Sequence, residues 1–229
     1  FWFDYLKPNN ICNRKDWGNF IGAKFFEPFI DEIFKNIDRT NSKITYLNSD
    51  FLKFNIEGKG HVEYADFYLR QKNSIILVEA KSNYLPLVNG YKNVKTKEDF
   101  EKINIDKFYK DFGINQLADK TIKKFNVYKS KIKDKDLVIK GKVKIYPTLI
   151  VNETIISLGF SSFAFRKKFN NLLLEKEIDK DSDSVRILPI SIINISELQD
   201  IEQMIFDRDL SIFNLLQMHF SATDLEKIK

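Results

Sequence analysis

Three side chains within one short stretch could do chemistry together. Asp66 interrupts an apolar run, and Glu79 and Lys81 close the aliphatic run Ser74-Ile75-Ile76-Leu77-Val78. A charge at the end of an apolar strand is costly to bury unless it is paired or binds a cation. Strand alternation puts Ile75, Leu77, Glu79 and Lys81 on one face, and Ile76, Val78, Ala80 and Ser82 on the other. Glu79 and Lys81 then project into one space, about 7 Å apart along the strand. If the run around Asp66 pairs with this strand across the polar turn Gln71-Lys72-Asn73, Asp66 comes close to Glu79. Two carboxylates at that range repel unless a cation sits between them. The carbonyl of Ala80 offers a third oxygen. Lys81 would orient or help deprotonate an attacking water and stabilise developing negative charge. That chemistry is metal-assisted hydrolysis of a phosphodiester. The rival reading is a plain salt bridge, in which Lys81 merely neutralises Glu79.

Periodicity supplies the elements that would hold these groups. Residues 18–37 read as helix. Ile21, Phe25, Phe29, Ile33 and Ile37 repeat every four residues, and Phe26, Ile30 and Phe34 widen the stripe. Pro28 predicts a kink there, or two short helices. Strands are expected at Lys43–Leu47, at Phe51–Ile56, around Asp66 and through Glu79, with a glycine turn at 57–60. Residues 83–95 read as loop and 96–131 as helix broken at Gly113. After that break Ile114, Leu117, Ala118, Thr121, Phe125 and Tyr128 form one face. The lysine-rich run 129–142 reads as a solvated connector. Strand Val143–Val151 follows, and its Pro147 predicts an edge position or a bulge. Helix is expected over 161–178, strand over 185–194 and helix over 196–220. Interleaved strands and helices of this kind predict an α/β protein, a mixed sheet with helices on both faces.

Composition narrows the chemistry. The chain has 229 residues, 43% of them hydrophobic, with 21 Phe, enough to fill a substantial core. We read residues 1–229 as one domain, with an aromatic extension at 1–17, a core over about 18–151, and added helices and a strand over 152–229. A single cysteine, Cys12, excludes an internal disulfide and a cysteine-based zinc site. The two histidines, His61 and His219, argue against a histidine-rich site, so any metal should be a hard cation on oxygen ligands, Mg²⁺ or Mn²⁺. A net charge of +5 suits a nucleic-acid partner without requiring one. No apolar run approaches the roughly 20 residues that span a bilayer. No signal-peptide pattern opens the chain. The expectation is a cytoplasmic protein with no membrane partner. The chain opens on Phe, which we read as the mark of an excised segment.

The arrangement of Asp66, Glu79 and Lys81, with twelve residues between the two acids, resembles the PD-(D/E)XK nuclease superfamily. Ala65 stands where that family often has proline before its first acid. The resemblance implies a restriction-endonuclease-like mixed central sheet and Mg²⁺- or Mn²⁺-dependent cleavage of nucleic acid, DNA ahead of RNA. It implies a metal held by Asp66, Glu79 and the Ala80 carbonyl, with Lys81 catalytic. It also implies a further acid from the first helix, for which Glu27 is the choice and Asp31 and Glu32 are rivals. Exonuclease-like and repair branches carry a glutamine on the helix after the lysine strand, followed four residues later by tyrosine. Gln116 fits the first position, but Lys120 stands at the second, which departs from those branches. Gln116, Lys120 and Lys124 are the expected contacts to a phosphate backbone. Such domains serve bacterial restriction, phage defence, repair and mobile elements, as homodimers or with a separate targeting partner. The alternative is a catalytically silent relative that binds nucleic acid or scaffolds a complex, although inactive relatives usually lose one of the three residues and this chain keeps all three.

Overall fold

The computed structural model describes residues 9, 13–56, 58, 60–83, 96, 98, 105–134, 141–208 and 210–222. Its first helical run comprises α1 (Arg14–Ile21), a π-helical turn at Gly22–Phe26, and α2 (Glu27–Thr40). Strands β1 (Thr45–Asn48), β2 (Lys53–Ile56), β3 (Gly60–Glu63), β4 (Phe67–Gln71) and β5 (Ser74–Lys81) follow. Next come α3 (Ile105–Asp111), α4 (Ile114–Gln116) running into a π-helical stretch at Leu117–Ile122, α5 (Phe125–Tyr128) and β6 (Val143–Val151). The chain continues through α6 (Thr154–Ser157), α7 (Gly159–Glu175), β7 (Val185–Ile187), β8 (Ser191–Asn194), α8 (Ile195–Arg208) and α9 (Ile212–Ala222).

The sheet runs β1, β4, β5, β6, β7, with β8 also on β6, and β2 pairs separately with β3. β4 is antiparallel to β1 and β5, whereas β5, β7 and β8 all run parallel to β6. It is the mixed sheet expected, and helices cover both faces. Ile75 and Leu77 of β5 pack with Phe112, Ile114, Leu117, Phe165 and Phe169 on one side. Ile76, Val78 and Ala80 pack with Ile30, Ile33, Phe34, Leu198 and Phe213 on the other. The β5 alternation predicted from sequence therefore holds, because a strand sandwiched between helices buries both of its faces. Among the described residues no helix is long and apolar enough to cross a membrane.

Several expectations are corrected. Phe25 and Phe29 are exposed, and the buried stripe of the first helix is Phe26, Ile30, Ile33, Phe34 and Ile37. The reason is the π-helical turn, which shifts the phase of the helix just before Pro28. Proline has no N–H to give to the carbonyl four residues back, and the wider turn, with Glu27 N–H bonded to the Gly22 carbonyl, carries the chain past it. Ser49–Phe51 is a single 3₁₀ turn capped by Asn48, so the second expected strand starts only at Lys53. Residues 185–194 form two strands, not one, and Pro189 lies in the break. Residues 196–220 form two helices, not one, and the Ser211 carbonyl starts the second by accepting from the Leu215 amide.

Pro147 lies at neither an edge nor a bulge but in the central strand. The amides of Lys144 and Asn152 bond toward β5, and that of Val143 bonds away from it. By alternation the Pro147 nitrogen also faces away from β5. There it meets the gap between β7, which pairs with residues 143–145, and β8, which pairs with 148–151. A missing donor costs little where no acceptor waits. The solvated-connector reading of 129–142 also needs revision in its described part. Ile132 and Asp134 are buried, and Asp134 is clamped by Arg70, with a second Arg70 bond of 2.9 Å and a bond of 2.9 Å from the Tyr68 hydroxyl. Cys12, most of the 1–17 extension, most of the 83–95 loop and residues 135–140 lie outside the described residues.

Candidate active site

Hairpin register brings the two acids together. Gln71 pairs with Ser74 and Phe67 with Val78, so Asp66, one residue before β4 rather than inside it, stands opposite Glu79. Its amide bonds to the Val78 carbonyl at 3.1 Å. Its carboxylate accepts the Ala80 amide at 2.7 Å. Asp66 is thus tied to the end of β5 at both backbone and side chain. Odd-numbered β5 carbonyls face β6, since those of Asn73 and Lys81 accept from Lys144 and Asn152. The Val78 carbonyl faces the other way, toward Asp66, and by alternation so does that of Ala80.

Glu79 is fully buried. Its Oε1 pairs with the Lys81 ammonium, as the salt-bridge reading expects, but its Oε2 is buried with no hydrogen-bond partner among the described residues. A buried carboxylate oxygen without a partner is unusual and points to a missing group. Burial, and then the charge of Asp66, push the Glu79 carboxyl up to about 8, against the pull of Lys81 and Lys120. Burial also raises the Asp66 carboxyl, against Lys81 and the Ala80 N–H. Burial works against the charge on Lys81, but Glu79, Asp66 and Glu27 together outweigh it and hold its pKa above the ordinary lysine value.

Of the three helix acids, Glu27 is the one coupled to this cluster. Glu27 is exposed, but its partial desolvation, then Asp66 and Glu63, raise its carboxyl, while Lys81 and Lys53 lower it. Asp31 instead pairs with Lys35 at 2.6 Å and accepts from Tyr46 and Asn48, and Glu32 pairs with Arg39 at 3.2 Å. Lys120 is exposed, and its charge weakly opposes the rise at both Asp66 and Glu79. Gln116 is half-buried at the end of α4. The side chain of Lys124 has no contact with the site among the described residues, and its carbonyl instead starts α5. His61 is exposed on β3, and His219 is half-buried on α9.

Two glycines lie against the end of β5. Gly113 has φ +76°, and a Cβ built there would lie 2.6 Å from Lys81 Cε and 3.1 Å from Glu79 Cγ. Its only signal in the sequence is that it breaks a helix. Gly22 begins the π-helical turn, and a Cβ there would lie 2.7 Å from Ser82 Oγ. The first helical run therefore presses on the end of β5.

A hard divalent cation fits the donor set. Asp66, the unpartnered Oε2 of Glu79 and the Ala80 carbonyl are all oxygen donors, with water or substrate to complete the shell. No group of three His, Cys, Asp or Glu side chains among the described residues is close enough to hold a metal, so Glu27 is not a direct third ligand in this geometry. A concavity of about 640 Å³ between α2 and α8 is lined by residues such as Arg39 and Glu202 and contains none of these groups.

No known family's profile matches the chain, and no curated protein is similar to it. Among solved structures, the chain is similar to the small subunit of a heterodimeric restriction endonuclease. The TM-score is 0.27 and the identity 10%, over 93% of this chain and 98% of that one. A likeness that slight carries no argument, and the geometry must carry it instead.

Proposed function

We propose that the protein is a metal-dependent nuclease of the restriction-endonuclease-like, PD-(D/E)XK type, acting on DNA ahead of RNA. The observation that carries the reading is Glu79: fully buried, with an oxygen that lacks a partner among the described residues, opposite an Asp66 pinned by the β5 backbone. A structural salt bridge needs neither the second acid nor the open oxygen. Asp66, Glu79 and the Ala80 carbonyl would hold Mg²⁺ or Mn²⁺. When bound, such a cation polarises the phosphodiester and offsets its developing charge.

The chain's own residues do the rest. Lys81 is held charged by its acidic neighbours, so its ammonium serves to stabilise negative charge on the phosphate and to orient water, not to take a proton. Glu27 sits in the same field with its proton affinity raised, which is the direction a proton acceptor needs. Lys120 adds positive potential that reaches the carboxylates, and Gln116 and Lys124, on the same stretch of chain, would meet the substrate's backbone away from the metal.

The test is cleavage of supercoiled plasmid, linear duplex, single-stranded DNA and RNA with Mg²⁺, Mn²⁺ or EDTA, beside Asp66→Ala and Lys81→Ala. We expect metal-dependent cleavage that falls at least about 100-fold in each variant, the cost of removing one electrostatic stabiliser. Folded variants that cleave like the parent would overturn the assignment. A parent that cleaves nothing, yet binds Mg²⁺ through Asp66, would mark a silent relative instead.

A further inference from the structure

We infer that a groove between α3 and α7 is a stacking site for unpaired bases, so that the nuclease proposed above works on a substrate with a single-stranded segment. The inference rests on that nuclease reading. The groove encloses 270 Å³ and is lined by Tyr109, Phe160, Phe163, Lys167 and Lys168, among others. Phe160 is 79% exposed, an unusual position for a large ring at the start of a helix. Lys168 lies over the Tyr109 ring, 5.8 Å from its centroid, and also pairs with the exposed Asp106 at 3.0 Å.

Short backbone connections link the groove to the candidate active site. Tyr109 lies one helical turn before Gly113, whose Cα faces Lys81 and Glu79. From the other side, the Asn152 amide bonds to the Lys81 carbonyl, and the chain then passes through α6 directly to Phe160. The Tyr109 ring rests on the core, since Phe165 packs edge-on against both Phe108 and Tyr109, at 5.5 and 5.0 Å between centroids. An exposed Phe160 beside the half-buried rings of Tyr109 and Phe163, flanked by lysines, suits a polyanion that carries flat aromatic groups. Base–aromatic stacking together with a cationic rim is how single strands are held without sequence preference. A duplex keeps its base faces stacked inside and has none to offer such a groove.

The experiment compares Phe160→Ala and Phe160→Trp with the parent in EDTA, using a labelled single-stranded oligonucleotide and its duplex in fluorescence anisotropy. Cleavage by the parent in Mg²⁺ is measured alongside. Phe160 is so exposed that both variants should fold, which circular dichroism checks. We expect Phe160→Ala to lose roughly 5- to 150-fold in single-strand affinity, the effect of one stacked base, and to narrow the ratio of single-strand to duplex affinity. Phe160→Trp should retain affinity, and its fluorescence should be quenched by the oligonucleotide. Unchanged single-strand affinity in Phe160→Ala, with parent cleavage intact, overturns the groove and leaves the nuclease standing. A parent dimer that Phe160→Ala splits, with oligonucleotide affinity unchanged, overturns the groove in favour of a second copy as its occupant. A parent that neither cleaves nor binds any nucleic acid overturns the nuclease reading, and the groove assignment with it.

Discussion

Glu79 combines two demands that ordinary stability disfavours: full burial and an oxygen left open. Its proton affinity follows from that position, and so does a pH signature. The folded carboxyl is raised to about 8 from an ordinary 4.5, so across that window the folded state holds a proton the unfolded chain has released. Stability of the metal-free protein should therefore fall as pH rises from about 4.5 to 8. A cation must displace the same proton, so apparent Mg²⁺ affinity should strengthen throughout this window and level off above it. Thermal melts with and without Mg²⁺ across pH 5–9 check both slopes, and Glu79→Gln should flatten them. A parent whose melting temperature ignores Mg²⁺ at every pH argues against the site. Gly113 matters at the same scale. Gly113→Ala forces a left-handed residue to carry a Cβ, costing about 1–2 kcal/mol. It also pushes on a Lys81 that cannot swing away without leaving Glu79. The melting temperature should fall, and cleavage should fall further than the melting temperature explains.

At the level of elements, the hairpin carrying Asp66 and Glu79 has an anchor far from the chemistry. Arg70, near the end of β4, binds Asp134 through two nitrogens and Thr45 of β1 at 3.0 Å, and Tyr68 joins from the same strand. Both charges are buried, so breaking the pair strands one of them. Asp134→Ala should cost about 3–5 kcal/mol, or roughly 6–20 °C in Tm. The double variant Arg70→Met/Asp134→Leu should recover most of that loss, because matched apolar groups replace such pairs at little cost. Scanning calorimetry decides it, and a double variant no better than the single would show that the network itself, not charge burial, sets the stability. The π-helical turn before Pro28 is a comparable device. It lets one helical run both bury Phe26 and deliver Glu27 to the field of Asp66 and Lys81.

For the whole molecule the question is how far the sheet needs its later elements. A core of about 18–151 with appendages after it is what sequence suggests. Yet α7 supplies Phe165, Phe169 and Leu173 to one face, and α8 and α9 supply Leu198, Ile201 and Phe213 to the other. A chain stopped after Val151 would bare both faces of β6 and leave one edge of it unpaired. We expect it to collapse without cooperative melting, or to aggregate, since an exposed apolar strand edge templates association. Circular dichroism melts of that fragment test the expectation. A sharp transition with metal-dependent cleavage would instead establish 152–229 as dispensable.

Local pattern was enough for some of this molecule. The β5 alternation, the pairing of Asp66 with Glu79 across a short turn, and the helical face Ile114, Leu117, Ala118, Thr121, Phe125 and Tyr128 were all legible, and each of that face is buried. These features depend on period and on neighbours close in sequence. Other features depend on what a segment meets across the fold, and no window of sequence contains that. Pro147 sits mid-sheet because two separate strands share its flank, and Asp134 is buried because Arg70 lies opposite it. Glu27 feels the charges of Asp66 and Lys81, whereas Tyr46 and Lys35 hold Asp31, and Arg39 holds Glu32. The residue types and their spacing determined which groups could act together. Only the tertiary structure decided which of them share one desolvated space, because burial and charge coupling act through distance in the fold, not along the chain.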